Sequence, residues 1–231
     1  MRGFCLEVAA PYACFTRPEK TSGLVSYDVI TPSAARGIFG CIFWKPAIEW
    51  RIKEIQVLSP IRLESIPCDK VREMASNRIT PYVESDPGSR TVLLLRDVKY
   101  RLRGEFDFIE PNQRPKKSGL VLKGQDRPLV RKDEKEAKYA AIFERRVKKG
   151  PIFKQPYLGY SEFVCAFRLV EPDEPAAPCP DELKGVRALG WMFYDRDYRD
   201  LKNPAPLFYR PIMKDGIIEV PDRENKEVIR R

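Results

Sequence analysis

The stretch Thr91-Val-Leu-Leu-Leu-Arg-Asp-Val-Lys-Tyr-Arg-Leu-Arg-Gly-Glu-Phe-Asp-Phe-Ile109 decides how this chain is read. Within it Val98, Tyr100, Leu102, Phe106 and Phe108 stand at alternate positions, with Lys99, Arg101, Arg103, Glu105 and Asp107 between them. Successive side chains of a strand point to opposite faces. The pattern therefore predicts one long, half-buried antiparallel strand with an apolar face and a charged face.

Helical periods flank it on both sides. Upstream, Thr31-Pro32-Ser33 supplies a hydroxyl for the N-cap and a proline at the first helical position. Ala35, Ile38, Phe39, Ile42 and Phe43 then recur at helical spacing, and Pro46 stops the segment. Downstream, residues 133–149 predict a second helix, with Asp133 as N-cap and Glu134 and Glu136 in the first turn. Its apolar face is Tyr139, Ala140, Phe143 and Val147. Lys138, Arg145, Lys148 and Lys149 point the other way, and Gly150-Pro151 ends it.

Further strands are predicted at 4–8, through Ile48, Trp50, Ile52, Ile55, Val57 and Ile61 on either side of a shift in alternation, and at 163–170. Residues 16–30 read as a loop or hairpin and 65–90 as an excursion from the core. The resulting order, β-α-β-β-α-β with insertions, fits an α+β ferredoxin-like domain over residues 1–170. Residues 171–185 are rich in proline and acids and read as a linker. The last segment, 186–231, predicts short strands at 188–194, 207–213 and 217–220. Lys214-Asp215-Gly216 is a hairpin signal between the last two, so a small C-terminal antiparallel β-sheet is expected.

Composition narrows the chemistry. The chain has 231 residues, enough for a substantial core, and no apolar run approaches the roughly 18 to 20 residues a membrane span needs. Its first residues are broken by Glu7 and Pro11 and read as a strand, so a cytoplasmic protein with no membrane partner is expected. Six cysteines without a C-x-x-C pair, and no histidine, argue against a zinc site; no metal or cofactor is expected. Without histidine no side chain has an unperturbed pKa near neutrality. Acid–base chemistry here would fall to lysine, tyrosine, cysteine or carboxylate groups.

Charge is the one uneven property. Residues 111–154 hold 14 of the 42 Lys and Arg but only 5 of the 33 Asp and Glu, leaving the remainder balanced at 28 against 28. The whole net charge of +9 is therefore local, and a focused cationic field points to a polyanion such as RNA. The candidate phosphate contacts in it are Arg114, Lys116, Lys117, Arg131 and Lys132 in the loop and Arg145, Arg146, Lys148 and Lys149 on the helix.

Several runs carry a resemblance. Residues 12–19 (Tyr-Ala-Cys-Phe-Thr-Arg-Pro-Glu) precede 26–38 (Ser-Tyr-Asp-Val-Ile-Thr-Pro-Ser-Ala-Ala-Arg-Gly-Ile) and 43–48 (Phe-Trp-Lys-Pro-Ala-Ile). They are followed by 142–146 (Ile-Phe-Glu-Arg-Arg), 155–159 (Gln-Pro-Tyr-Leu-Gly), Glu162-Phe163 and Gly190-Trp-Met192 with Asp195. Together they resemble the CRISPR-associated Cas-five family, subtype I-C, over nearly the whole length.

The resemblance implies a ferredoxin-like domain of the RNA-recognition-motif type with a smaller C-terminal sheet. It implies a protein that cuts CRISPR repeat RNA without a metal, by attack of a ribose 2′-OH on the adjacent phosphate. It further implies partners: the guide RNA 5′ handle, and the backbone and large subunits of a type I-C interference complex. The family's Lys-His pair at the start of the second helix falls on Lys138 and Tyr139, and its tyrosine before the W-K-P run falls on Phe43. Arg17, Lys20 and Arg36 lie within or beside the signature as further phosphate contacts.

Two readings stay open for each catalytic position. Lys138 either stabilises a pentacoordinate phosphorane or makes an ordinary phosphate contact. Tyr139 either protonates the leaving 5′-oxygen or packs in the core. Phe43, Tyr27, Trp44 and Trp50 read either as core aromatics or as platforms for stacking a base, and packing is the expectation for all four. Three functions follow: a repeat endoribonuclease, a non-catalytic subunit capping the 5′ handle, or a general basic RNA-binding module.

Overall fold

The computed structural model describes residues 3–18, 24–68, 70–71, 91–110, 135–200 and 202–230. Lys20, Arg114, Lys116, Lys117, Arg131, Lys132 and the expected cap Asp133 lie outside the described residues.

The decisive stretch forms β4 (Thr91–Phe108), an unbroken strand that organises the sheet around it. Its first residues pair with β3 (Leu63–Pro67), its middle with β1 (Gly3–Ala13), and its second half with β2 (Ile48–Val57), all antiparallel. On the far side of β1 lies β5 (Ala166–Val170), giving the order β5-β1-β4-β2. In β2 the residue between Ile52 and Glu54 bulges out of register. That bulge is the physical form of the shifted alternation: Ile48, Trp50 and Ile52 face the core before it, Ile55 and Val57 after it.

The apolar face of these strands is covered by α1 (Pro32–Ile42) and α2 (Glu136–Lys149). The Thr31 side chain accepts a hydrogen bond from the Ala34 amide at 3.2 Å, the expected N-cap. Helix α2 starts two residues later than the charge pattern indicated: Lys135, not Asp133, is its N-cap, and among the described residues no side chain caps it. Its last turn closes on Gly150 in the left-handed region, φ 87°, where glycine carries no Cβ penalty. Phe143 is the pivot of the core, with its ring 4.7 Å from Trp50, 4.8 Å from Phe4 and 5.7 Å from Phe39. Truncating a ring held this way costs about 3–5 kcal/mol.

The C-terminal strands divide differently from the expectation. Residues 188–194 are not one strand but β6 (Val186–Ala188) and β7 (Met192–Asp197), and 207–213 likewise splits into β8 (Ala205–Tyr209) and β9 (Ile212–Lys214). Gly190, at φ 74°, and Pro211 sit at the two breaks. The expected hairpin joins β9 to β10 (Ile217–Glu219), but it extends the large sheet in the order β2-β10-β9-β6. A small separate sheet does form, from β7, β8 and β11 (Ile229–Arg230). The strand expected over 163–170 begins only at Ala166.

The other face of the sheet is polar at its centre and roofed by part of 171–185. Glu7 is register partner to Arg101 on one side and Arg168 on the other. Its carboxylate accepts from Arg101 at 3.0 Å, from Arg168 at 2.9 Å and from Lys99 at 3.1 Å. Glu174 pairs with both arginines, and the Pro175 carbonyl accepts from Arg101 at 3.0 Å. Among the described residues no helix is long and apolar enough to cross a membrane.

Candidate active site

The first turn of α2, the end of α1 and the end of β4 meet at one place. Tyr139 is buried there, its ring 5.9 Å from Phe43 at the C-cap of α1 and 5.9 Å from Phe108 at the end of β4. Lys138, one residue earlier, is half-buried. It falls on the first turn of a helix that lacks a side-chain cap, where outward-facing amides and the positive end of the helix dipole favour an anion. A lysine added to that end makes the place suited to a phosphate.

Arg146 lies eight residues on, about 12 Å along the axis. It has turned back onto the end of α1: its guanidinium stands 5.0 Å from the Phe43 ring centroid and donates to the Ile42 carbonyl at 3.2 Å. Arg145 and Lys149 are exposed, and Lys148 is exposed but paired with Glu171 at 2.7 Å. The structure thus brings Lys138, Tyr139, Arg145, Arg146 and Lys149 onto one helix that borders the Phe43 loop.

Arg17 and Arg36 lie elsewhere, and each has a carboxylate partner. Arg17 meets Asp28 at 3.1 Å and stands over the ring of Tyr27. Arg36 makes two bonds to Asp195, at 2.9 and 3.0 Å. Asp195 is buried and also accepts from Arg223 at 3.1 Å and from Ser33 at 3.2 Å. It ties the start of α1 to β7 while two guanidinium groups share its one charge.

Burial removes the buried thiols from the chemistry. It pushes Cys14 up to about 11, despite a hydrogen bond with Thr16, and Cys165 up to about 12. Neither supplies a thiolate near neutral pH. Among the described residues no three His, Cys, Asp or Glu side chains are grouped to hold a metal ion.

One expectation fails. Trp44 does not pack: it is 53% exposed, whereas Phe43, Tyr27 and Trp50 are buried as expected. The reason is local, because Phe43 completes the apolar stripe of α1 and leaves the extended backbone to aim the next side chain outward. The sequence signal was there, since Trp44 falls off the helical period and is followed by Lys45-Pro46. Phe153 and Lys154 were not singled out and also sit here, both exposed.

Two solved structures share the fold across 99% of this chain. One is a CRISPR-associated protein (TM-score 0.68, 23% identity, 96% of that chain). The other is a functionally uncharacterized protein from Streptococcus mutans (TM-score 0.69, 25% identity, 97% of that chain). Residues 3–221 match the CRISPR-associated protein family Cas5d (Cas_Cas5), and the chain belongs to that family. Among its relatives is the CRISPR pre-crRNA endoribonuclease Cas5d of Mannheimia succiniciproducens, 35% identical over 239 residues that cover 97% of both chains. The protein of the same name from Thermus thermophilus is 33% identical over 245 residues, covering 97% of this chain and 94% of that one.

Proposed function

We propose that this protein is a pre-crRNA endoribonuclease that cuts a CRISPR repeat RNA at the first turn of α2. Lys138 carries the reading: it lies in an uncapped first turn, beside the aromatic pair Tyr139 and Phe43, in a chain whose relatives are named for this activity. In the reaction the 2′-oxygen bonds to phosphorus as the P–O5′ bond breaks. The 2′ proton passes to water and the 5′-oxygen takes up a proton, leaving a 2′,3′-cyclic phosphate and a 5′-hydroxyl. Lys138, as an ammonium, stabilises the added negative charge of the phosphorane; it need not lose its proton to do so. The Tyr139 phenol is the proton donor to the 5′-oxygen.

The fold reading that goes with this is ferredoxin-like. The order β5-β1-β4-β2, with α1 and α2 on one face, supports it, as does β4 lying antiparallel between β1 and β2. After cleavage the protein stays on the 5′ handle within a type I-C interference complex, held by Arg145, Arg146 and Lys149. A second reading is favoured by the burial of Tyr139 and Phe43: a subunit that caps the handle without cutting.

Incubating the purified protein with its repeat RNA in EDTA separates the two. Cleavage that disappears in Lys138→Ala supports the nuclease. RNA that is tightly bound yet stays intact rejects it in favour of the cap.

A further inference from the structure

We propose that Trp44 and Phe153 form a stacking site for an unpaired RNA base beside the Lys138 helix. The inference rests on the endoribonuclease reading and says which part of the RNA meets this surface. Both rings are exposed, Trp44 by 53% and Phe153 by 68%, while the core at this end of α1 is closed: Phe43 is 1% and Trp50 4% exposed. Their exposure is therefore not the result of a poorly filled interior.

Their backbones are held firmly at one point, the C-terminal end of α1. The Ile42 carbonyl accepts both the Phe153 amide at 3.3 Å and the Arg146 guanidinium at 3.2 Å. The Cys41 carbonyl accepts the Lys154 amide at 2.8 Å. On the other side Phe43 donates to the Phe39 carbonyl at 2.9 Å, and the indole of Trp50 donates to the Phe43 carbonyl at 2.9 Å. Two carbonyls at a helix terminus thus fix the chain on which one ring stands, and the C-cap residue leads directly into the other.

The charges around the rings identify the occupant. Lys45 follows Trp44 and Lys154 follows Phe153; both lysines are exposed, and Arg145 and Arg146 lie on the adjoining turn of α2. An apolar protein partner gains nothing from this set of cations, whereas a nucleotide offers a flat π-face to the rings and phosphates to the lysines and arginines. In an A-form stem the base faces are already stacked on one another, so the occupant is a single-stranded nucleotide flanking the stem. Stacking accepts any base; the site selects for an unpaired nucleotide, not for a sequence.

The test is binding of the full-length protein to a repeat stem-loop RNA. The RNA carries 2′-deoxy sugars throughout its unpaired flanks and at the last nucleotide on each strand of the stem so that nothing is cut, and a series of RNAs makes each unpaired nucleotide abasic in turn. Trp44→Ala and Phe153→Ala are each expected to weaken binding about tenfold, with Trp44→Phe close to wild type. One abasic position should weaken wild type by a similar factor and add nothing in the double alanine variant. Unfolding temperatures should be unchanged, since both rings lie outside the core. Wild-type affinity in the double variant overturns the stacking site alone and gives the two rings to a protein partner. Equal losses on intact and every abasic RNA overturn it too. Failure of the wild type to bind any repeat RNA overturns the endoribonuclease reading, and the stacking site with it.

Discussion

The ring of Tyr139 stands 5.9 Å from that of Phe43 and is tilted 35° to it, so the first turn of α2 is locked onto the cap of α1. Of this pair only Tyr139 has a hydroxyl. The lock fixes where Lys138, its neighbour, projects, and it sets a phenol and an ammonium side by side on the first turn of α2. The consequences can be measured.

Cleavage of repeat RNA in EDTA should fall about 100- to 1,000-fold in Lys138→Ala, the usual effect of removing one group that stabilises transition-state charge. Lys138→Arg should retain more activity than the alanine variant, since it keeps the charge. Tyr139→His should instead raise the rate and give it a pH dependence at or below about 6.5, because an imidazole titrates there, lower when buried, and a phenol does not. A pH-independent, unimproved rate in that variant would count against Tyr139 as the proton donor.

Binding should be strongly salt-dependent. If six phosphates are neutralised on single-stranded RNA, a plot of log affinity against log salt has a slope of about −4. Charge-removing substitutions at Arg145 and Lys149 should each make that slope shallower by just under one. A flat salt response would reject the electrostatic basis of binding.

Acid should weaken the fold through Glu7. Burial raises its pKa, but the hydrogen bonds from Lys99, Arg101 and Arg168 outweigh this and leave it below the ordinary glutamate value. A carboxylate depressed on folding stabilises the protein above its unfolded pKa, about 4.3, and that stability is lost as pH falls through the lower folded value. Glu7→Gln should therefore cost about 3–5 kcal/mol at neutral pH in a denaturant titration. Glu174 and the Pro175 carbonyl still hold Arg101, which keeps the loss toward the low end. The gap between variant and wild type should close below pH 4.

Gly159→Ala should destabilise by more than about 1 kcal/mol. Its φ is +89°, and an added Cβ would stand 1.8 Å from the Cys14 carbonyl oxygen. That approach is part of how the 157–160 loop seats on the end of β1, where Cys14 donates to the Leu158 carbonyl at 3.2 Å. Thermal unfolding that matches wild type would show the loop can move away without cost.

Much of the site was visible in the order of residues. Period-two alternation gave β4, and period 3.6 gave the buried faces of α1 and α2, because each depends only on which side of a local element a residue faces. The N-cap at Thr31, the bulge in β2 and the 214–216 hairpin were legible for the same reason. The start of α2 was not, since a run of acids marks a first turn only loosely and Lys135 caps it instead.

By itself, then, the sequence determined which residues face inward within each element and that the excess positive charge lies in 111–154. Only the tertiary structure decided what lies across from what. It set Arg146 on the end of α1, put Trp44 and Phe153 at one terminus, and tied Arg36 to Asp195, 159 residues away. It also sent β9 and β10 to the large sheet, not to a separate one. These are contacts between segments remote in the chain. They are fixed by how whole faces pack and how strand edges pair, and no local period records that choice.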